Sequence, residues 1–152
     1  MPQVLTEKFK RLPLRVHTFL ADVPLHDVWV VDLPRWRARV TLQDFLRTGA
    51  DCLCTPPPLV RMLFDIRFFV GRFFGWDRDP AATSWETFAT RLTDADRSIS
   101  LAAAGTRDGF FRVVYRFENE QLAELINRTA HVSALTALIE PRRIYGFAFA
   151  SF

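Results

Sequence analysis

Cysteine is nearly absent from this chain: Cys52 and Cys54 are the only two among 152 residues. That count excludes a disulfide framework and makes a reducing cytoplasm the expected compartment. A structural zinc site needs about four ligands, and no motif joins this C-x-C to His17 or His26, so no metal is expected. C-x-C is also not the C-x-x-C of redox proteins. Lysine is equally scarce, with Lys8 and Lys10 alone, and the net charge is only +3. Such a balance argues against nucleic acid, which leaves Arg35-Trp36-Arg37-Ala38-Arg39 as a solvated turn with Trp36 tucked inward. The Arg-for-Lys bias, with abundant Ala, has the look of a GC-rich bacterial genome. Glycine contributes six residues, none of them in a G-x-G-x-x-G or P-loop pattern. The G-x-S-x-G of serine hydrolases is missing too. No run approaches the roughly 20 uncharged apolar residues of a membrane span. The N-terminus lacks the apolar stretch of a secretion signal.

Aromatic residues, by contrast, are plentiful: 15 Phe and 4 Trp in a chain that is 49% hydrophobic. Residues 1–152 suit one domain, with 1–24 as an irregular or docked N-terminal arm. His26–Leu33 (HDVWVVDL) predicts a strand closed by Pro34. Val40–Arg47 predicts a short helix capped by Thr41 and stopped by Gly49, and residues 50–57 a loop. Pro58–Phe74 predicts a longer amphipathic helix, with Pro58 at its first position and Gly75 as its stop. Leu59, Leu63, Ile66, Val70 and Phe73 fall at helical spacing, and Met62, Phe69 and Phe74 widen that face. Arg61 and Asp65 are spaced for an i,i+4 pair. Trp76–Ala82 reads as a turn.

In the second half, Ser84–Ala89, Arg97–Ala103 and Phe110–Phe117 read as strands, the last two joined by a turn at 105–109. Strict alternation would set Arg112, Val114, Arg116 and Glu118 on one face, with Val113, Tyr115 and Phe117 on the other. Glu120–Ile139 is ambiguous, since its Ala, Leu and Glu favour a helix while Thr129, Val132 and Thr136 favour an extended chain. Ile144–Phe152 closes as a strand. A strand, two helices and then several antiparallel strands make an α+β pattern.

The segments LHDVWVVDLP, LFDIRFFVGRFFGWD and YRFENEQLAELINRTAH resemble a bacterial family catalogued as domain of unknown function 2867. That family is similar to the START and polyketide-cyclase superfamily, whose fold is the helix grip. The resemblance implies a curved antiparallel sheet around an apolar cavity, and a long, bent strand over Gln121–Ile139. Helix-grip proteins end in a helix lying in the grip of the sheet, whereas this chain stops at Phe152, at the end of a strand. Three expectations follow: Pro58–Phe74 covers the sheet instead, a partner chain does, or the chain is truncated.

The leading functional expectation is binding of an apolar or amphipathic small molecule between sheet and helix. Phe69, Phe73 and Ile66 would line the site, and the row Asn127, Thr129, His131, Ser133 would supply polar groups from one strand face. A cyclase-, dehydratase- or isomerase-type enzyme in the same cavity is the alternative, with His131 and a carboxylate from Glu124 or Glu118 as acid–base groups; Glu120 is a further carboxylate nearby. A non-catalytic interaction module, homodimeric through an exposed sheet face, is the third reading. No cofactor is implied by any of them. A membrane-surface role is disfavoured because Arg61, Arg67 and Arg72 do not form a concentrated basic face.

Overall fold

The computed structural model describes residues 6–33, 40–54, 56–75, 86–109, 111–126, 131–140 and 143–151. Six strands form one open, curved, antiparallel sheet in the order β1-β6-β5-β4-β3-β2. They are β1 (Leu25–Asp32), β2 (Arg107–Asp108), β3 (Phe111–Arg116), β4 (Glu120–Ile126), β5 (His131–Glu140) and β6 (Arg143–Ser151). The helices are α1 (Thr6–Lys10), α2 (Val16–Phe19), α3 (Leu42–Cys54), α4 (Pro58–Phe74) and α5 (Asp94–Ile99), with a 3-10 turn at Phe88–Arg91. The expected α+β class therefore stands, with α3 and α4 following the first strand.

The ambiguous segment is extended, but as two strands rather than one bent strand. β4 and β5 pair with each other, Glu120 opposite Ala137 and Ile126 opposite His131. Local helix propensity loses because each strand gains a paired neighbour on both sides and a buried inner face. Alternation also fails in β3. The register with β4 shifts between Val113 and Tyr115, so Val114 joins Tyr115 in the core. A bulge of this kind inserts one residue and resets the face.

Two expected strands are instead short helical segments. Phe88 and Ala89 of the expected Ser84–Ala89 strand begin the 3-10 turn, Ser84 and Trp85 lying outside the described residues, and Arg97–Ala103 overlaps α5. The signal is Thr93-x-x-Asp96: the Thr93 side chain accepts from the Asp96 amide and Asp96 returns a bond to Thr93, a reciprocal cap that starts a helix. Thr41 and Asp44 cap α3 in the same way. α3 then continues through Gly49 to Cys54 rather than stopping; a helical glycine costs only about 1 kcal/mol relative to Ala. The expected turn at Trp76–Ala82 lies outside the described residues. Helix α4 matches its expected bounds, and Gly75 ends it at φ 68°. Only a residue without a Cβ adopts that left-handed conformation cheaply.

The core sits on one face of the sheet, here the inner face. Val28, Leu122, Leu135, Ala137, Tyr145, Phe147 and Phe149 come from the strands, and Phe9, Val16, Phe19, Leu20, Phe88 and Leu92 from what covers them. The Phe9 ring lies 4.3 Å from Phe147, and Phe19 meets Tyr115 edge-on at 5.5 Å. Burying each such side chain is worth roughly 1.5–3 kcal/mol. The N-terminal arm thus fills the place expected of α4. No α4 residue belongs to the core cluster; Phe69 and Phe73 are 76% and 80% exposed, and Ile66 is 52% exposed. The helix does not cross the inner face because that face is already occupied by rings from the arm and from the Phe88 turn.

Candidate functional site

Strand pairing brings the polar groups of the inner face together. Glu124 on β4 stands opposite Ser133 on β5, and Ser133 stands opposite Phe149 on β6. His131 is two residues before Ser133 and so shares its face. All three are buried. His131 Nε2 lies 2.8 Å from Glu124 Oε2, and that oxygen also accepts the Phe88 amide at 2.9 Å. The Thr87 hydroxyl donates to the other oxygen, Glu124 Oε1, and itself accepts the Ala89 amide at 3.2 Å. Phe88 lays its ring on the His131 imidazole, with centroids 4.1 Å apart and planes 23° from parallel.

Burial pushes the Glu124 carboxyl up, but the bonds from His131, Thr87 and the Phe88 amide together outweigh it and leave the group below its ordinary range. Glu124 is therefore an anion, and an anionic carboxylate only accepts hydrogen bonds. His131 Nε2 must carry the proton between them. Ser133 has no such partner: its buried Oγ makes no hydrogen bond.

A second cluster lies further along β4. Tyr115 donates its hydroxyl to Glu120 Oε1 at 2.7 Å, and the Arg15 amide donates to Glu120 Oε2 at 3.0 Å. Here burial dominates, so the Glu120 carboxyl is raised despite those two bonds. The same burial raises the Tyr115 hydroxyl. The Arg15 guanidinium grips Asp96 with two bonds, of 3.0 and 2.9 Å, and holds that carboxyl down at about 2. His17, packed on Phe9 at 4.5 Å, leaves its Nε2 buried without a partner.

The structure joins some of the sequence candidates and separates others. Glu124 and His131 are in direct contact, whereas Glu118 is exposed in the β3–β4 turn. Asn127 and Thr129 lie outside the described residues. Phe69, Phe73 and Ile66 are on the exposed side of α4 rather than beside His131. Thr87 and Phe88 were missed, because they fall where a strand was expected. Among the described residues, no group of three His, Cys, Asp or Glu stands close enough to hold a metal. No described helix is long and apolar enough to cross a membrane.

No curated protein and no solved structure matches the chain. One family model does, over residues 19–148, a stretch that runs from the end of α2 into β6 and includes Thr87, Phe88, Glu124, His131 and Ser133. By that match the chain belongs to the family described as protein of unknown function DUF2867.

Proposed function

We propose that the chain binds an apolar or amphipathic small molecule against the inner face of the sheet, where Ser133 meets a polar group of the ligand beside the Glu124–His131 pair. The observation that carries this reading is the Ser133 hydroxyl, fully buried and without a partner. Leaving a buried polar group unsatisfied costs roughly 1–3 kcal/mol. A ligand carbonyl or hydroxyl bonded to it recovers that cost, and the surrounding Phe88 and Phe149 supply the apolar contact that such pockets use. Similarity of the family to helix-grip proteins points the same way. Entry requires the Thr87–Arg91 segment to swing aside, because Phe88 covers His131.

Native mass spectrometry tests the reading. Protein purified from cells, or incubated with decanoate, dodecanol or a steroid ketone, should carry an added small-molecule mass. In Ser133→Ala the affinity should fall about fivefold to tenfold, the size of one lost hydrogen bond. If no added mass is found under any of these conditions, the chain is not a binder of this class.

The Glu124–His131 contact favours a second reading, acid–base catalysis of the cyclase, dehydratase or isomerase type. Glu124 would fix the imidazole, and His131 would move a proton at carbon next to the carbonyl of a bound ketone. NMR then detects exchange of that carbon's protons with deuterated water, lost in His131→Gln. A bound ketone whose protons do not exchange leaves simple binding in place.

A further inference from the structure

Among the described residues, two buried side-chain atoms make no hydrogen bond: Ser133 Oγ and His17 Nε2. Inner-face binding gives Ser133 a partner and His17 none. The two are linked through one ring, that of Phe9. The His17 imidazole lies 4.5 Å from it, Phe147 4.3 Å and Phe149 5.9 Å, and Ser133 stands opposite Phe149 in the β5–β6 register. Phe9 thus fills a nest of rings without serving the polar atoms around it, since a hydrocarbon ring offers an N–H or O–H only a weak contact.

Helix α1 holds that ring on a loose attachment. Of Glu7, Lys8, Phe9 and Lys10, only Phe9 is buried. The Lys10–Glu7 bond is internal to the helix. Among the described residues, no hydrogen bond or ion pair ties α1 to anything beyond the turn at Arg11 and Leu12. Helix α2 is fastened, by contrast: the Arg15 amide donates to Glu120 and its guanidinium to Asp96. Residues 11–14 belong to neither helix and include Pro13. They form a hinge on which α1 lifts while α2 stays in place.

We propose that the place of the Phe9 ring is a ligand subsite, with Phe9 as its built-in stopper and His17 Nε2 as its polar anchor. The subsite rests on inner-face binding and adds the class of ligand: a ring compound with a hydrogen-bonding group at each end, a hydroxyl at His17 and a second polar group at Ser133. The ligand ring takes over the contacts of Phe9 with Phe147 and Phe149, so the apolar burial given up by the stopper is regained. A hydroxyl suits His17 because it both donates and accepts, and so meets either tautomer of a neutral imidazole. A ring without a polar group leaves that nitrogen as unsatisfied as Phe9 does.

NMR titration of the full chain with p-cresol and with toluene tests the proposal. Phe9→Ala opens the subsite, because an apolar hole left by a large side chain takes up a small ring. This variant should bind p-cresol at least ~10-fold more tightly than the wild type, which must first expel its own ring. It should prefer p-cresol to toluene about fivefold to tenfold, the size of one hydrogen bond. Adding His17→Phe to Phe9→Ala should erase the preference. Equal or tighter binding of toluene overturns the proposal, since a merely apolar hole favours toluene, and so does a preference that survives His17→Phe. The wild type supplies a test that no substitution disturbs. Its Phe9 ring protons, shifted by the rings of His17, Phe147 and Phe149, should move on saturation with p-cresol to the positions of a solvent-exposed phenylalanine. Bound p-cresol with those protons unmoved overturns the stopper. If p-cresol binds neither chain while decanoate still adds its mass to the wild type, the subsite falls and inner-face binding stands; if neither compound binds, both fall.

Discussion

Two buried carboxylates on one strand are shifted in opposite directions. Glu124 and Glu120 both lie on the inner face of β4, one residue pair apart from Leu122 on either side, and both are buried. Glu124 has a histidine, a hydroxyl and an amide as donors and sits below its ordinary range; Glu120 has a hydroxyl and an amide and sits above it. The sign of each effect on stability follows. Glu120 contributes most below its unfolded pKa, and that contribution is lost as pH rises through the raised folded value. Glu124 contributes above its unfolded pKa and is lost as pH falls through the lowered one. Urea unfolding should therefore show a stability maximum on the acid side of neutrality, and Glu120→Gln should flatten the decline on the alkaline side. His131→Ala should cost about 3–5 kcal/mol, because it opens a cavity beneath Phe88 and strips a buried carboxylate of one of its three donors. His131 and Glu124 were readable as candidates from residue type alone. Their meeting was not, since it depends on the β4–β5 register, and nothing local to either residue fixes that register.

At the scale of elements, the cover of the inner face is held by two Arg–Asp pairs that cross between its parts. Arg15 of the arm grips Asp96 of α5, and Arg91 of the 3-10 turn grips Asp22 near the end of the arm, at 2.6 and 2.8 Å. The second pair is exposed and worth little. The first has a buried Asp96 whose carboxyl stands at about 2 against an ordinary 3.8. Its contribution, about 1–2 kcal/mol once the half-exposed Arg15 is allowed for, is present above the ordinary value and lost as pH falls from about 4 towards 2. Asp96→Ala should accordingly speed amide exchange in the Val16–Phe19 helix at neutral pH, and acid should do the same to the wild type. Between β1 and β6 the packing is tighter still. A Cβ on Gly146 would come within 2.2 Å of the Trp29 ring, so Gly146→Ala should cost about 1–3 kcal/mol by thermal unfolding, and Trp29→Ala in the same chain should recover part of it. Elements with a strong local signature were legible: β1 by its β-branched run, α4 by its Pro start and Gly stop. The Phe88 turn and α5 were not, because Thr87 and Phe88 of the first and Arg97–Ile99 of the second lie inside stretches that also read as strands.

For the molecule as a whole, the sequence pattern showed that α4 has an apolar arc but not where the arc points. Hydrophobic periodicity states that a face is to be covered, not by what. The rings that cover the sheet come from a short arm, Phe9 and Phe19, whose helices are too brief to carry a periodic signal. The inner-face site and the outward arc of α4 are therefore separate surfaces, and a single bound probe can tell them apart. The decisive measurement is a two-dimensional NMR titration of the protein with decanoate. Binding at the inner face predicts shifts clustered on Phe88, Glu124, His131 and Ser133, strongly reduced in Ser133→Ala. Shifts confined to Leu59–Phe74, unchanged in Ser133→Ala, would contradict the account.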